Sequence, residues 1–190
     1  MKRIIPVITI LTLLLIVNIP HVLGGSCAPT IYVDNGIVVG GPLDGQAYEG
    51  TLIGTPERDC IQGTEGNDLI LGKGGDDSIN GSNGDDTIKG GAGNDFIVGG
   101  PDNDTLIGGD DDDYLYGGPG DDLAKGGAGE DVIVGEGNND TLIGGDEYDV
   151  INGGPGDDLI KGGSGDDNLD GSDNFDLLLG GPGDDELYCG

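Results

Sequence analysis

An aspartate recurs every nine residues through most of this 190-residue chain. Counting in nines from Gly54 gives fifteen consecutive blocks that reach Tyr188 without an insertion. The first position of each block is glycine, and the eighth is isoleucine or leucine except at Ala124. The sixth position is always aspartate: Asp59, Asp68, Asp77, Asp86, Asp95, Asp104, Asp113, Asp122, Asp131, Asp140, Asp149, Asp158, Asp167, Asp176 and Asp185. Carboxylates at a fixed interval after glycine-rich turns offer the oxygen ligands that a hard cation prefers.

Each block must therefore place its aspartate in a turn. Glycines at positions one, two and four permit positive φ and close backbone approach, so we expect the first six residues to turn. The next three residues, such as 159–161, are expected to be extended, with the middle side chain facing inward. Two blocks then make one coil of 18 residues. The pattern predicts an all-β fold, a right-handed parallel β-roll of about fifteen nonapeptide half-turns.

Stacked coils would bring each aspartate beside the aspartate two blocks away, as with Asp140 and Asp158. Carboxylates that close cannot all stay charged unless a cation neutralises them. Calcium fits, because it takes six to eight oxygens from carboxylates and from main-chain carbonyls. The candidate carbonyl ligands are those of Gly63, Gly72, Gly81, Gly90, Gly117, Gly126, Gly153, Gly162 and Gly180. Zinc is disfavoured, because His21 is the only histidine and the cysteines are scattered.

The block resembles the RTX, or hemolysin-type calcium-binding, nonapeptide GGxGxDxUx, as in GGPGDDLIK at 153–161. The resemblance implies a β-roll in which turn aspartates and backbone carbonyls ligate several calcium ions between successive coils. Six blocks depart from it, with Glu57, Asp102, Asp111, Asn138, Glu147 and Asn174 at position four. Asp and Asn tolerate left-handed geometry, so the turns at Glu57 and Glu147 depart furthest from the pattern. The most regular sites are expected at 63/81, 72/90 and 162/180.

The array buries few apolar side chains, and the free energy gained from that burial is smaller than the backbone entropy lost on folding. Ion binding is therefore expected to supply folding free energy, which predicts that the calcium-free chain is largely unfolded.

The charge excludes several function classes. The formal net charge is −30, and all 37 acids lie beyond residue 33. Such a field opposes nucleic acid and anionic membranes and attracts cations. No HExxH, GxSxG or catalytic histidine is present, and no small-molecule substrate is evident. Acid pairs such as Asp157–Asp158 would suit a glycosidase, but their repetition favours metal ligation.

Two functional hypotheses are favoured, and a third, a carbohydrate-active enzyme, is remote. The first is a secreted, non-catalytic calcium-binding module that folds on export. The second is a cell-surface adhesion or assembly protein, which self-associates or binds a cell-surface partner. It would use Cys189 or outward apolar residues at positions seven and nine: Phe96, Val98, Ile107, Tyr114, Tyr116, Val134, Ile143, Leu177 and Leu179.

The first 53 residues lack the full repeat. Residues 1–25, with Lys2 and Arg3 before an apolar run, predict a cleaved signal peptide or an N-terminal anchor. Residues 26–53 predict a linker, a strand over 31–39 and a worn block at 45–53 that caps the array of 54–190. The chain would be extracellular, either secreted or attached to the cell surface. Cys27, Cys60 and Cys189 allow three pairings, among them a Cys27–Cys60 bridge with Cys189 unpaired.

Overall fold

The computed structural model describes residues 30–34, 37–39 and 48–190. The predicted signal or anchor segment, 1–25, and Cys27 lie outside the described residues. Within those residues all regular secondary structure is β-strand. No helix among them is long and apolar enough to span a membrane.

Eighteen strands follow one another along the described chain. The first nine are β1 Thr30–Asp34, β2 Ile37–Val39, β3 Thr51–Ile53, β4 Cys60–Gln62, β5 Leu69–Gly74, β6 Ser78–Asn80, β7 Thr87–Ala92, β8 Phe96–Val98 and β9 Thr105–Asp110. The others are β10 Tyr114–Pro119, β11 Leu123–Ala128, β12 Val132–Gly137, β13 Thr141–Asp146, β14 Val150–Pro155, β15 Leu159–Ser164, β16 Asn168–Asp173, β17 Leu177–Leu179 and β18 Glu186–Cys189.

The strands alternate between two sheets. Odd-numbered strands from β3 to β17 form an eight-stranded sheet, and even-numbered strands from β4 to β18 form the other, which β1 and β2 extend to ten strands. From β3 to β17 the paired residues run parallel and lie 18 positions apart, as Leu142 and Ile160 do. The register shifts only between β16 and β18, where Ser172 pairs with Cys189. The predicted parallel β-roll is confirmed. It has about eight coils rather than seven and a half, because β3 lies before the first full block.

One inward file of aliphatic side chains fills the space between the sheets. The eighth residue of every block from Ile61 to Leu169 is at most 3% exposed, and Ala124 occupies the same file. The flanking residues of each strand face outward, which gives the alternating burial that a strand requires. The core is therefore one or two side chains thick, as the register predicts.

The N-terminal end of the file is covered by residues before the first full block. Leu52 in β3 pairs with Ile70 and is fully buried, so β3 stacks on the first full coil. Ile31 in β1 pairs with Ile61 and is also fully buried. The sequence predicts one strand over 31–39, whereas the structure has two, and β2 runs antiparallel to β1.

Candidate metal centre

The turns owe their shape to left-handed residues at positions two and four. Position two has positive φ in all thirteen blocks from Lys73 onward, and position four has it in most of them. Several of these residues are not glycine, including Asp102, Asp111 and Glu147, whose φ values are 82°, 74° and 77°. The turn at Glu147 thus forms in the left-handed conformation, whereas Glu57 is not left-handed.

The invariant glycine at position one has a different role. Its φ is not left-handed in any block. A Cβ atom at Gly126 would overlap Oδ2 of Asp131, the aspartate of its own turn, and one at Gly54 would overlap the carbonyl oxygen of Gly72 in the next coil. Of the two properties that the sequence analysis gives to this glycine, positive φ is not used at position one and close backbone approach is. Glycine is required there because the aspartate carboxylate and the next coil approach the backbone too closely for a side chain.

The position-six aspartates form a continuous hydrogen-bonded ladder along the roll. The main-chain N–H of each aspartate donates to Oδ1 of the aspartate one coil further on, as Asp77 does to Asp95 at 2.8 Å. The bond recurs in thirteen pairs, from Asp59–Asp77 to Asp167–Asp185, at 2.7–3.0 Å. One carboxylate oxygen of each ladder residue is thus used to join two coils.

The second oxygen of most ladder residues is buried without a hydrogen-bond partner. The thirteen aspartates from Asp59 to Asp167 are at most 4% exposed. The orphaned atoms are Oδ2 of Asp77, Asp86, Asp95, Asp104, Asp113, Asp122, Asp131, Asp140, Asp149, Asp158, Asp167 and Asp176. A buried, unpaired carboxylate oxygen is costly, and in proteins such atoms are normally paired or coordinate metals.

Burial raises the pKa of these carboxyl groups. The pKa rises to about 7 for Asp104 and Asp140 and to about 8 for Asp113 and Asp149. Loss of solvation is the main cause, the hydrogen bond from the preceding coil opposes it, and repulsion from ladder neighbours adds to it. The protein alone therefore does not supply the positive charge that this file of carboxylates needs.

In the first two turns, a threonine donates hydrogen bonds to Oδ2 of the position-six aspartate. Thr64 donates its main-chain N–H and its hydroxyl to Oδ2 of Asp68, at 2.6 and 3.0 Å. Thr55 does the same for Asp59, at 2.5 and 3.0 Å. The turn at Gly63 therefore does not match the turn at Gly81, although the sequence suggested a regular pair. Threonine at position two, found only in these two blocks, is the signal for this difference.

The variable residue at position five also bridges coils. Its side-chain oxygen accepts the main-chain N–H of the position-five residue one coil later, as Asp121 does from Asn139 at 3.0 Å. The bond is found in nine pairs at 2.8–3.2 Å. These acceptors are exposed, in contrast to the buried ladder. The two acids of a pair such as Asp157–Asp158 thus have different roles: the first bridges coils at the surface, and the second belongs to the buried ladder. The nine-residue pattern assigned a role only to the second.

Side chains alone do not complete a metal site in the described part of the chain. No three acidic, histidine or cysteine side chains converge there on one position. A cation beside the ladder must therefore also take main-chain oxygens or water. Among the predicted carbonyl ligands, those of Gly117 and Gly180 each accept an N–H from the preceding coil. A carbonyl oxygen has two lone pairs, so this bond leaves one for a cation.

The cysteines differ in state. Cys60, at the start of β4, is disulfide-bonded, and Cys189 is free and exposed. Cys27, the suggested partner of Cys60, lies outside the described residues.

The comparison with known protein families agrees with this geometry. The RTX calcium-binding nonapeptide repeat (4 copies) matches overlapping windows at 45–79, 53–88, 62–97, 89–124, 107–142, 116–151, 134–169, 143–178 and 161–190. No curated protein matches the chain. The windows together span residues 45–190, the same part of the chain that forms the stacked coils. On this evidence the chain belongs to the RTX calcium-binding nonapeptide repeat family.

Proposed function

We propose that this protein is an extracellular structural module that folds when calcium binds along its aspartate ladder. The observation that carries the proposal is the file of twelve buried Oδ2 atoms without hydrogen-bond partners. A hard divalent cation would neutralise these carboxylates and remove the cost of their burial. The family supplies the identity of the cation.

The proposed ligands are the position-six carboxylates whose Oδ2 lacks a partner, from Asp77 to Asp176, and the turn carbonyls named above. The ladder fits this role because adjacent carboxylates lie one coil apart along a straight file. The glycine at position one leaves the carboxylate in contact with the backbone, where carbonyl oxygens such as that of Gly72 also point. Calcium supplies charge and oxygen coordination, and the chain's own residues hold the turns in register.

The uniformity of the array supports a structural rather than a catalytic role. The raised pKa values belong to a repeating series of equivalent aspartates and not to one distinctive cluster. Extracellular location is supported by the disulfide at Cys60, because disulfides persist mainly in oxidising compartments.

Far-ultraviolet circular dichroism during a calcium titration tests the proposal. The calcium-free chain is expected to lack most of its β signal and to gain it cooperatively as calcium is added. Magnesium is the control, because it demands a tighter octahedral site and should fold the chain far less well. An unchanged spectrum up to millimolar calcium would refute the proposal.

A second candidate role, assembly at a cell surface, rests on exposed groups near the C-terminal end. Cys189 is free and exposed, and Leu177, Leu179 and Tyr188 are exposed nearby on β17 and β18. One predicted outward residue, Val134, is instead buried. Sedimentation under oxidising conditions, with and without calcium, decides this role: a monomer in every condition rules out self-assembly.

A further inference from the structure

The first two turns of the array lack the orphaned Oδ2 atom found in the turns that follow. In the Gly63 turn, Oδ2 of Asp68 accepts both the N–H and the hydroxyl of Thr64. In the Gly54 turn, Oδ2 of Asp59 accepts the same two groups from Thr55. From Asp77 to Asp176, by contrast, Oδ2 of every ladder aspartate is buried without a partner.

A difference in backbone conformation accounts for this. All thirteen turns from Gly72 onward have a left-handed residue at position two, whereas Thr55 and Thr64 are not left-handed. A β-branched residue strongly disfavours positive φ. The threonine therefore selects a turn in which its N–H and hydroxyl both reach the aspartate of its own block.

The two types of turn also differ in crowding. A Cβ atom added at Gly84, in a left-handed turn, would lie 2.7 Å from the backbone of Gly66 in the preceding coil. At Gly66 itself, nothing lies within 4 Å of such an atom. Gly66 therefore lacks the close backbone contacts that Gly84, one coil later, makes.

We propose that the turns 54–59 and 63–68 form a calcium-independent cap, and that the calcium sites of the array begin at Asp77. This inference rests on the proposed function, because it divides the aspartates of the predicted calcium ladder into two classes. Asp59 and Asp68 receive from threonine the hydrogen bonds that the later aspartates lack. They are positioning residues of the cap and do not ligate calcium.

Neighbouring features stabilise the same end without calcium. Cys60, between the two turns, is disulfide-bonded, and β1 pairs with β4. Leu52 and Ile31 close the core file below Ile70 and Ile61. In a stacked array each coil is stabilised mainly by its neighbours. The cap therefore gives the first calcium-dependent coil a preformed surface on which to fold.

The central test compares D68N with D86N, two equivalent substitutions one coil apart in the same stack. Asp68 donates its N–H to Oδ1 of Asp86, and an asparagine oxygen can still accept that bond. Titration calorimetry is expected to give D68N the wild-type calcium stoichiometry and D86N at least one ion fewer. Loss of ions in D68N to the same extent as in D86N overturns the inference.

A second variant keeps the inference testable if D68N fails to fold. The substitution T64G completes the motif GGxGxD over 63–68, and T64S removes only the β-branch, since Ser82 at the same position is left-handed. T64G is expected to raise the calcium concentration at the folding midpoint of the first coils at least twofold, and T64S is expected to shift it in the same direction. If T64G folds at the same calcium concentration as wild type, the inference of a calcium-independent cap is wrong.

Hydrogen exchange of the wild-type chain in calcium-free buffer gives an independent readout. Amides of β3, β4 and β5 are expected to exchange at least tenfold more slowly than those of β11 to β15. Equal exchange in the two regions overturns the inference. If the wild-type chain binds no calcium at all, the proposed function fails, an outcome distinct from equal ion loss in D68N and D86N.

Discussion

The main-chain N–H of Asp122 donates a 2.8 Å hydrogen bond to Oδ1 of Asp140, the aspartate one coil further along the roll. Oδ2 of Asp140 is buried and has no hydrogen-bond partner. One side chain thus joins two coils through one oxygen and leaves a charged oxygen that the protein does not satisfy. The proposed calcium binding would couple to coil stacking through this residue, because the closer the coils stack, the more the charge needs neutralising.

Replacing Asp140 by asparagine separates these two functions. In D140N the amide oxygen can still accept the Asp122 N–H, while the charge and the second carboxylate oxygen are lost. We expect the calcium-free form to gain stability and the calcium-saturated form to lose it, with a tenfold or greater loss of affinity at the adjoining site. Urea unfolding with and without calcium, together with calorimetry, measures both changes.

The matched control is D121N, beside Asp122 and one coil before Asp140. Asp121 is exposed at position five and accepts the Asn139 N–H, a bond that asparagine can also accept. Its calcium binding should stay close to that of wild type. Equal losses in D121N and D140N would contradict the assignment of the inner ladder as the ligand set.

The raised pKa values predict an unusual response to pH in the absence of calcium. An unfolded aspartate titrates near 3.9, whereas burial raises the pKa of Asp113 and Asp149 to about 8 in the roll. The folded chain therefore binds more protons than the unfolded chain between these values, and its stability falls as pH rises through that window. Calcium-free protein should show more β signal at pH 4.5 than at pH 8.

Calcium should reverse this trend, because protons compete with it for the same oxygens. With calcium present, the concentration at the folding midpoint is expected to fall as pH rises from 6 to 8. A calcium-free chain that is more structured at pH 8 than at pH 4.5 would count against uncompensated carboxylates in the roll.

The fold could be predicted from sequence because its pairing is local and periodic. A strict nine-residue register fixes which residues face inward, and a two-block coil pairs each residue with the one 18 positions away. The contacts between turns could not be read in the same way. The overlap that bars a side chain at Gly126 depends on the orientation of the Asp131 carboxylate, and the bond between Asp121 and Asn139 depends on the turn geometry of two coils. A nine-residue pattern specifies neither.

The close approach at position one predicts that G126A is destabilising even when calcium is saturating. The new Cβ would overlap Oδ2 of Asp131 and displace the ladder carboxylate. Overpacking of this kind costs roughly 1–3 kcal/mol or more. The control is G137A, on the next strand along the chain, since nothing lies within 4 Å of a Cβ at Gly137. Urea unfolding in calcium should show a change within about 0.5 kcal/mol for the control. Similar losses in the two variants would disprove the steric explanation.

The outer file at position five predicts a smaller, salt-sensitive effect. Asp121, Asn139 and Asp157 follow one another there, joined by hydrogen bonds of 3.0 and 2.9 Å. Asn139 separates two charges, so N139D places three carboxylates on consecutive coils. Like charges on neighbouring strands cost roughly 0.2–1 kcal/mol, and salt screens exposed pairs. We expect N139D to lower the free energy of unfolding at low salt and to approach wild type at high salt. D157N removes a charge from the same file and should be neutral or stabilising. A salt-independent loss in N139D would show that the amide is needed for its hydrogen bonds rather than for charge spacing.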